Sequence, residues 1–225
     1  MNTAIIVAAG TGSRLNSEIP KQFIEVAGKP VIVHTLERFD ACPAVDEIVL
    51  VLGADAAESF SEELRNYGLR KPIRIAIGGA SRAESVLNGL NAAVRSTEIV
   101  AVHDGARPLV TVDEITRTIE RAQQTGAACL VAPVTDTIKE IRGGSISATL
   151  DREKLRRALT PQCFRLELLK RAFEAGPVDS SVTDECYLVE KLGVEIAIVE
   201  GSSRNIKITH PEDLAFAEMF LRGPE

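Results

Sequence analysis

Over the first part of the chain, apolar residues fall into short, β-branched runs separated by longer stretches in which they recur every three or four positions. Thr3–Ala8 (TAIIVA), Ile48–Leu52, Ile73–Ile77, Ile99–His103 and Cys129–Pro133 have the length and branching of strands buried on both faces. Between them Val31–Phe39, Ala54–Asn66, Ser81–Arg95 and Val112–Thr125 carry helical spacing. Thr111 stands three residues before Glu114, forming a capping box, and Gly126 follows the end of that helix. This alternation predicts a single α/β, Rossmann-like three-layer domain over residues 1–225, with a mostly parallel sheet. All-α and all-β folds are excluded. Ligands of such sheets bind beyond the carboxyl ends of the strands, which directs attention to the loops after Ala8 and His103.

The alternation breaks once. Thr137–Ile141, the turn Arg142-Gly143-Gly144-Ser145 and Ile146–Leu150 predict a β-hairpin. A lone two-stranded hairpin is marginal in water, so it needs cover, either from its own domain or from a second subunit. Beyond it the pattern predicts a helix over Phe164–Ala175 and a capped helix from Ser181, with Asp184, to Leu192. A strand at Val194–Val199 and a last helix from Pro211 follow, and no repeat, low-complexity stretch or linker interrupts the chain.

Composition narrows the classes. The 225 residues carry a net charge of −6, which argues against a surface that grips nucleic acid or an anionic membrane and leaves room for a small basic pocket. No apolar run approaches the ~18–20 residues that span a bilayer. Met1–Gly10 lacks a basic start and reads as a core strand, not a signal peptide. Cys42, Cys129, Cys163 and Cys186 are widely spaced with no CxxC pair, so reduced thiols in a soluble, cytoplasmic protein are expected.

The richest segment is Ala8-Ala9-Gly10-Thr11-Gly12-Ser13-Arg14-Leu15, followed by Pro20-Lys21-Gln22. A buried strand entering a glycine turn lets backbone N–H groups face an anion, with Arg14 and Lys21 supplying charge. Leu15 stands where a dinucleotide fingerprint has its third glycine, and no Walker loop occurs. By itself the turn is equally a phosphate cradle or an ordinary strand-to-helix connection. His34, His103 and His210 are scattered, with no Ser-His-Asp or Cys-His set, and no Asp-x-Asp pair occurs. Asp104, at a strand tip, is the best single candidate for a magnesium ligand, with turn formation as its alternative role.

Four further blocks accompany AAGxGxR and PKQ: Gly78-Gly79-Ala80-Ser81-Arg82-Ala83-Glu84-Ser85-Val86, His103-Asp104-Gly105-Ala106-Arg107-Pro108, Leu159-Thr160-Pro161-Gln162 and Asn205-Ile206-Lys207-Ile208-Thr209. Together, and in this order over nearly the whole chain, they resemble the 2-C-methyl-D-erythritol 4-phosphate cytidylyltransferase family of the non-mevalonate isoprenoid pathway. Ribitol-5-phosphate cytidylyltransferases share much of the pattern. Asp151-Arg152 ahead of LTPQ and Val182-Thr183-Asp184-Glu185 lean toward the erythritol enzymes.

The resemblance implies a nucleotide-diphospho-sugar transferase-like fold and an enzyme that couples CTP to a sugar-alcohol phosphate. Ala8, Ala9, Gly10, Thr11, Gly12 and Arg14 match the CTP cradle. Arg14, Lys21 and Lys207 match the catalytic cations. Gly79 and Ser85 match residues beside the cytosine, with Arg82 in the same CTP-binding loop, and Asp104, Gly105 and Arg107 match the block near the ribose, the metal and the acceptor phosphate. Arg152, Thr160 and Asp184 match acceptor-side positions. Mg2+ is implied, carried mostly on the CTP phosphates with Asp104 beside it. The hairpin, about residues 134–155, matches an arm exchanged in a homodimer, which would bring Arg152 to the partner's site. Gly105 stands where alanine is more familiar, and Cys186-Tyr187 stand where small residues are more usual. A non-catalytic nucleotide-binding module and a structural interaction protein are the readings from other classes.

Overall fold

A computed structural model describes residues 1–10, 19–176, 178–179 and 181–223. The first strand, β1 (Asn2–Ala8), is followed by a 3-10 turn at Lys21–Phe23, the short strands β2 (Glu25–Val26) and β3 (Lys29–Pro30), and helix α1 (Val31–Ala41). Then come β4 (Glu47–Leu52), α2 (Ala54–Glu63), β5 (Ile73–Ile77), α3 (Arg82–Ala92), β6 (Ile99–Asp104), α4 (Val112–Thr125) and β7 (Ala127–Pro133). The last part holds β8 (Lys139–Arg142), β9 (Ser145–Thr149), β10 (Arg156–Arg165), α5 (Leu166–Ala175), α6 (Glu185–Glu190), β11 (Ala197–Glu200) and α7 (Pro211–Leu221).

Seven strands form one sheet in the order β11-β7-β10-β6-β1-β4-β5. Successive side chains of a strand face opposite sides, so Ile6 joins α1, α2 and α4 on one face while neighbouring Ile5 joins α3, α5 and α6 on the other. Burying one such isoleucine contributes about 1.5–3 kcal/mol, and strands apolar on both faces have no stable alternative to this sandwich. The expected three layers are therefore present. The capping box of α4 is also present: Thr111 Oγ1 accepts from Glu114 N and the Glu114 carboxylate accepts from Thr111 N.

The sheet is mixed at one place. β10 runs antiparallel to both β6 and β7 and separates them. The sequence reading assigned no strand to Arg156–Gln162 and began a helix at Phe164, whereas α5 begins at Leu166. Pro161 explains the miss: it lacks an N–H for the ladder, and it falls where the pairing with β7 shifts register, between Ala158 and Gln162. The helix expected from Ser181 is shorter as well. Asp184 is its cap, its Oδ1 accepting from Tyr187 N at 2.9 Å. The strand expected from Val194 starts at Ala197.

β4 lies on one side of β1 and β6 on the other, both parallel to it, and Val7 is paired with Asp104. The chain thus leaves β1 in one direction and returns on its other side. That reversal opens a crevice beyond the carboxyl ends of β1 and β6. The hairpin forms as expected: β8 and β9 make a separate two-stranded sheet closed by Gly143 and Gly144, with φ of 57° and 79°. Two consecutive positive φ values suit glycine and match the twist of a tight hairpin.

Candidate active site

The crevice is a cleft of about 510 Å³. The end of β1 supplies Ala8, Ala9 and Gly10, the 3-10 turn supplies Lys21 and Gln22, and the start of α3 supplies Gly79, Arg82 and Ser85. Asp104 at the tip of β6 and Lys207 from the segment before α7 complete it. Nine residues singled out by sequence therefore meet in one place. Thr11, Gly12 and Arg14 lie outside the described residues.

Each wall is set locally. Gln22, buried, donates from Nε2 to Ala8 O at 2.7 Å and ties the 3-10 turn to the end of β1. Lys21 Nζ donates to Ile208 O at 3.0 Å. On the opposite wall Ser85 Oγ accepts from Gly79 N at 3.1 Å and donates to Ser81 O at 2.9 Å. Glu84 accepts from Ala80 N at 2.7 Å. The amides of Gly79 and Ala80 are thus used within the loop, and the charge of this wall comes from Arg82.

Asp104 is the centre of the cluster. Its Oδ1 accepts from Arg82 Nε at 3.1 Å, and its Oδ2 faces Arg107 Nε at 3.2 Å and Lys207 Nζ at 3.1 Å. Burial alone would push this carboxyl up, but the charges of Arg82, Lys207 and Arg107 outweigh it and hold the pKa well below the ordinary carboxylate range. Arg82 reaches a second carboxylate, with Nη1 and Nη2 at 2.6 and 3.1 Å from the two oxygens of fully buried Glu185. Burial pushes the Glu185 carboxyl up against the pull of Arg82. Arg82, Arg107 and Lys207 contact Asp104 and Lys21 lines the same cleft, so among the described residues cations outnumber carboxylates at this corner of a protein of net charge −6.

Behind Asp104 stands a hydrogen-bonded relay. Asp104 N donates to Thr160 Oγ1 at 3.2 Å, and Thr160 Oγ1 stands 3.0 Å from His103 Nδ1. His103 Nε2 is 3.2 Å from Arg107 O, a carbonyl that can only accept. The proton therefore sits on Nε2, and Nδ1 accepts from the Thr160 hydroxyl. Burial pushes His103 down to about 3, so the ring is neutral. Both nitrogens are occupied and the ring is fully buried, which makes it scaffolding, not a base.

Not every expected residue lines the cleft. Gly105 adjoins it through Asp104, and Arg107 braces Asp104 while donating from Nη1 to Asn205 O at 2.8 Å. Thr160 is buried behind Asp104. Asp184 accepts from Gln162 Nε2 at 3.0 Å. Arg152, exposed near the hairpin, donates to Thr135 O and stands apart from this chain's cleft. The sequence assigns no role to Gln22, which closes the PKQ block, or to Glu185, which closes the VTDE block; the roles of both depend on partners that only the fold brings close. Among the described residues no group of three or more His, Cys, Asp or Glu side chains is placed to hold a metal. Among the described residues Asp104 is the one carboxylate lining the cleft, which does not fit a resident magnesium and does fit an ion arriving on nucleotide phosphates with its own waters. All four cysteines are free and buried. Among the described residues no helix is long and apolar enough to cross a membrane.

Residues 2–223 match the family model described as "IspD: 2-C-methyl-D-erythritol 4-phosphate cytidylyltransferase". The chain is 42% identical to the 2-C-methyl-D-erythritol 4-phosphate cytidylyltransferase of Syntrophus aciditrophicus, over 99% of this chain and 96% of that one. It is 46% identical to the bifunctional enzyme IspD/IspF of Desulfotalea psychrophila, covering 98% of this chain but only 57% of that larger protein. The crystal structure of 4-diphosphocytidyl-2C-methyl-D-erythritol synthase from Anaerococcus prevotii superposes with a TM-score of 0.86 at 30% identity, covering 99% and 98% of the two chains.

Proposed function

Because the chain belongs to the 2-C-methyl-D-erythritol 4-phosphate cytidylyltransferase family, we propose that its cleft joins CTP to 2-C-methyl-D-erythritol 4-phosphate, giving 4-diphosphocytidyl-2-C-methyl-D-erythritol and pyrophosphate. The observation that carries this reading is the convergence of Lys21, Arg82 and Lys207 on one crevice beyond β1 and β6. The names of its relatives favour methylerythritol over ribitol phosphate as acceptor.

An oxygen of the acceptor phosphate attacks the α-phosphorus of CTP. A new P–O bond forms, the bond to the β-phosphate oxygen breaks in line, and pyrophosphate leaves with the electron pair. A phosphate monoester, with its second pKa near ~6, is mostly a dianion at neutral pH and needs no base. The buried, neutral His103 agrees with that. The chain's task is to gather two polyanions and stabilise charge as it builds. Lys21 and Lys207 face the transferring phosphoryl group together with Arg14, which the sequence motif adds. Arg82, Gly79 and Ser85 form the nucleotide wall. Asp104, braced by Arg107 and Thr160, meets the ribose and would stand beside a magnesium ion carried on the CTP phosphates. Such an ion would spread the triphosphate charge.

The hairpin supports a homodimer reading. Ile141 and Ile146 pair across it and are 67% and 66% exposed. Apolar residues on an arm that its own domain leaves uncovered suit a second copy of the chain. In that dimer Arg152 and Asp184 belong to the acceptor subsite, Arg152 acting on the partner's cleft.

The test is pyrophosphate release measured with four nucleoside triphosphates and with both alcohol phosphates. CTP with methylerythritol phosphate should be preferred. Release with ribitol 5-phosphate alone would replace the acceptor, and no release with CTP would end the transferase reading.

A further inference from the structure

Arg82 and Glu185 are 103 positions apart, yet they form a two-pronged ion pair beneath the cleft. Arg82 opens α3 on the nucleotide wall. Glu185 opens α6, next to Asp184. With both terminal nitrogens on Glu185 and Nε on Asp104, the guanidinium plane is gripped along two edges and cannot swing. Glu185 does not line the cleft and reaches it only through Arg82.

Glu185 is itself placed by Gln162. The Gln162 Oε1 accepts from the backbone N–H of both Glu185 and Cys186, each at 3.1 Å, and its Nε2 donates to Asp184 Oδ2 at 3.0 Å. Gln162 is buried in β10, the strand that also carries Thr160. One strand therefore seats the helix start that aims Arg82 and the hydroxyl that braces Asp104. A buried ion pair adds little net stability over an apolar pair of the same volume. Stability is thus a poor reason for a carboxylate here, and aiming a guanidinium is a good one. When phosphate oxygens compete for the cations on Asp104, Glu185 is the anchor that keeps Arg82 in place.

We infer that Glu185, seated by Gln162, is a positioning residue that fixes the orientation in which Arg82 meets the nucleotide. The inference rests on the reading of this cleft as the CTP site. Glu185→Gln keeps the volume and one acceptor but removes the charge and the fork. Pyrophosphate release should then show kcat/KM for CTP reduced by about 10²-fold, the scale of a misplaced reacting group. The KM for the acceptor phosphate, whose subsite includes the adjoining Asp184, should change less than the KM for CTP. In an Arg82→Met background, adding Glu185→Gln should cost no more than about twofold, because no guanidinium remains to be held. Gln162→Met, with both residues of the pair intact, should reproduce a loss of about tenfold or more and guards against a Glu185 variant that fails to fold.

A Glu185→Gln enzyme within twofold of wild type overturns the inference. So does an undiminished loss in the Arg82→Met background, or a loss that vanishes when each variant is assayed at the same interval below its own Tm. Wild-type protein that releases no pyrophosphate from CTP overturns the reading of the cleft and the inference with it. Active wild type with an unaffected Glu185→Gln overturns the inference alone.

Discussion

Lys207 Nζ stands 3.1 Å from Asp104 Oδ2, so a residue near the end of the chain closes onto the tip of a central strand. Arg82 and Arg107 hold the same carboxylate. One buried anion gathers three cations that would otherwise repel, the place that phosphate oxygens take in the proposed reaction.

Asp104→Asn should therefore destabilise the ligand-free protein by about 3–5 kcal/mol, the usual result of removing one member of a buried ionic cluster. Added pyrophosphate supplies an anion in its place. The Tm gain on adding pyrophosphate should be larger in the variant than in wild type, as thermal denaturation would show. Equal gains would mean that the cations are not held by this charge.

In the proposed mechanism Lys21→Ala removes a charge whose interaction with the α-phosphate grows during transfer. The expectation is a fall in kcat of about 10²–10³-fold with a much smaller change in CTP affinity. Arg14→Ala should behave alike, on the strength of the sequence motif alone. Steady-state rates beside calorimetric titration of CTP separate the two effects, and an equal loss in both would show simple ground-state binding.

Gly105 stands where alanine is more familiar, and its surroundings explain the departure. A Cβ there would lie 2.6 Å from Ile32 Cδ1 and 2.9 Å from Ala8 Cβ. Gly105→Ala should cost about 1–3 kcal/mol by overpacking. Adding Ile32→Val, which deletes the nearer methyl, should recover part of it. Urea midpoints of the single and double variants provide the measurement.

His103 gives stability a pH dependence. Its folded value of about 3 lies below the ordinary 6.5, so the unfolded chain takes up the proton first. The contribution is complete above pH ~6.5 and is lost as the pH falls toward ~3, with a slope approaching about 1.4 kcal/mol per pH unit. Glu185, pushed up by burial, opposes this trend at the acidic end. An NMR titration should find the His103 imidazole still neutral at pH ~5. A His103 that titrates near the ordinary value would contradict the relay.

Ile141→Asp with Ile146→Asp places charges on the exposed face of the arm. Light scattering should show dimers for wild type and monomers for this variant, with activity reduced if Arg152 serves the partner's cleft as proposed. A monomeric wild type would remove the cross-subunit role.

Much of this was legible in the chain. Runs such as Ile48–Leu52 admit only a strand buried on both faces, and Thr111 with Glu114 and Gly126 marks the ends of α4 unaided. The polar blocks located the cleft because each sits where a strand or helix ends. What stayed hidden depends on distant partners. β10 carries a proline and acquires its strand character from the two neighbours it separates. Glu185 reads as an ordinary helix-start carboxylate until Arg82, 103 positions earlier, is brought beneath it. Thr160 was recognised by its motif, but its burial behind Asp104 follows from that same inserted strand.

The insertion of β10 also orders events during synthesis. β6 and β7 leave the ribosome well before the strand that must lie between them, so a nascent chain ending ahead of Arg156 has a gap in its sheet. Such a chain can pair β1, β4, β5 and β6, yet it lacks the residues that seat α6 and back Asp104. Premature termination there would leave an incomplete sheet with open hydrogen-bonding edges, a target for chaperones or for aggregation, and never a partly active enzyme.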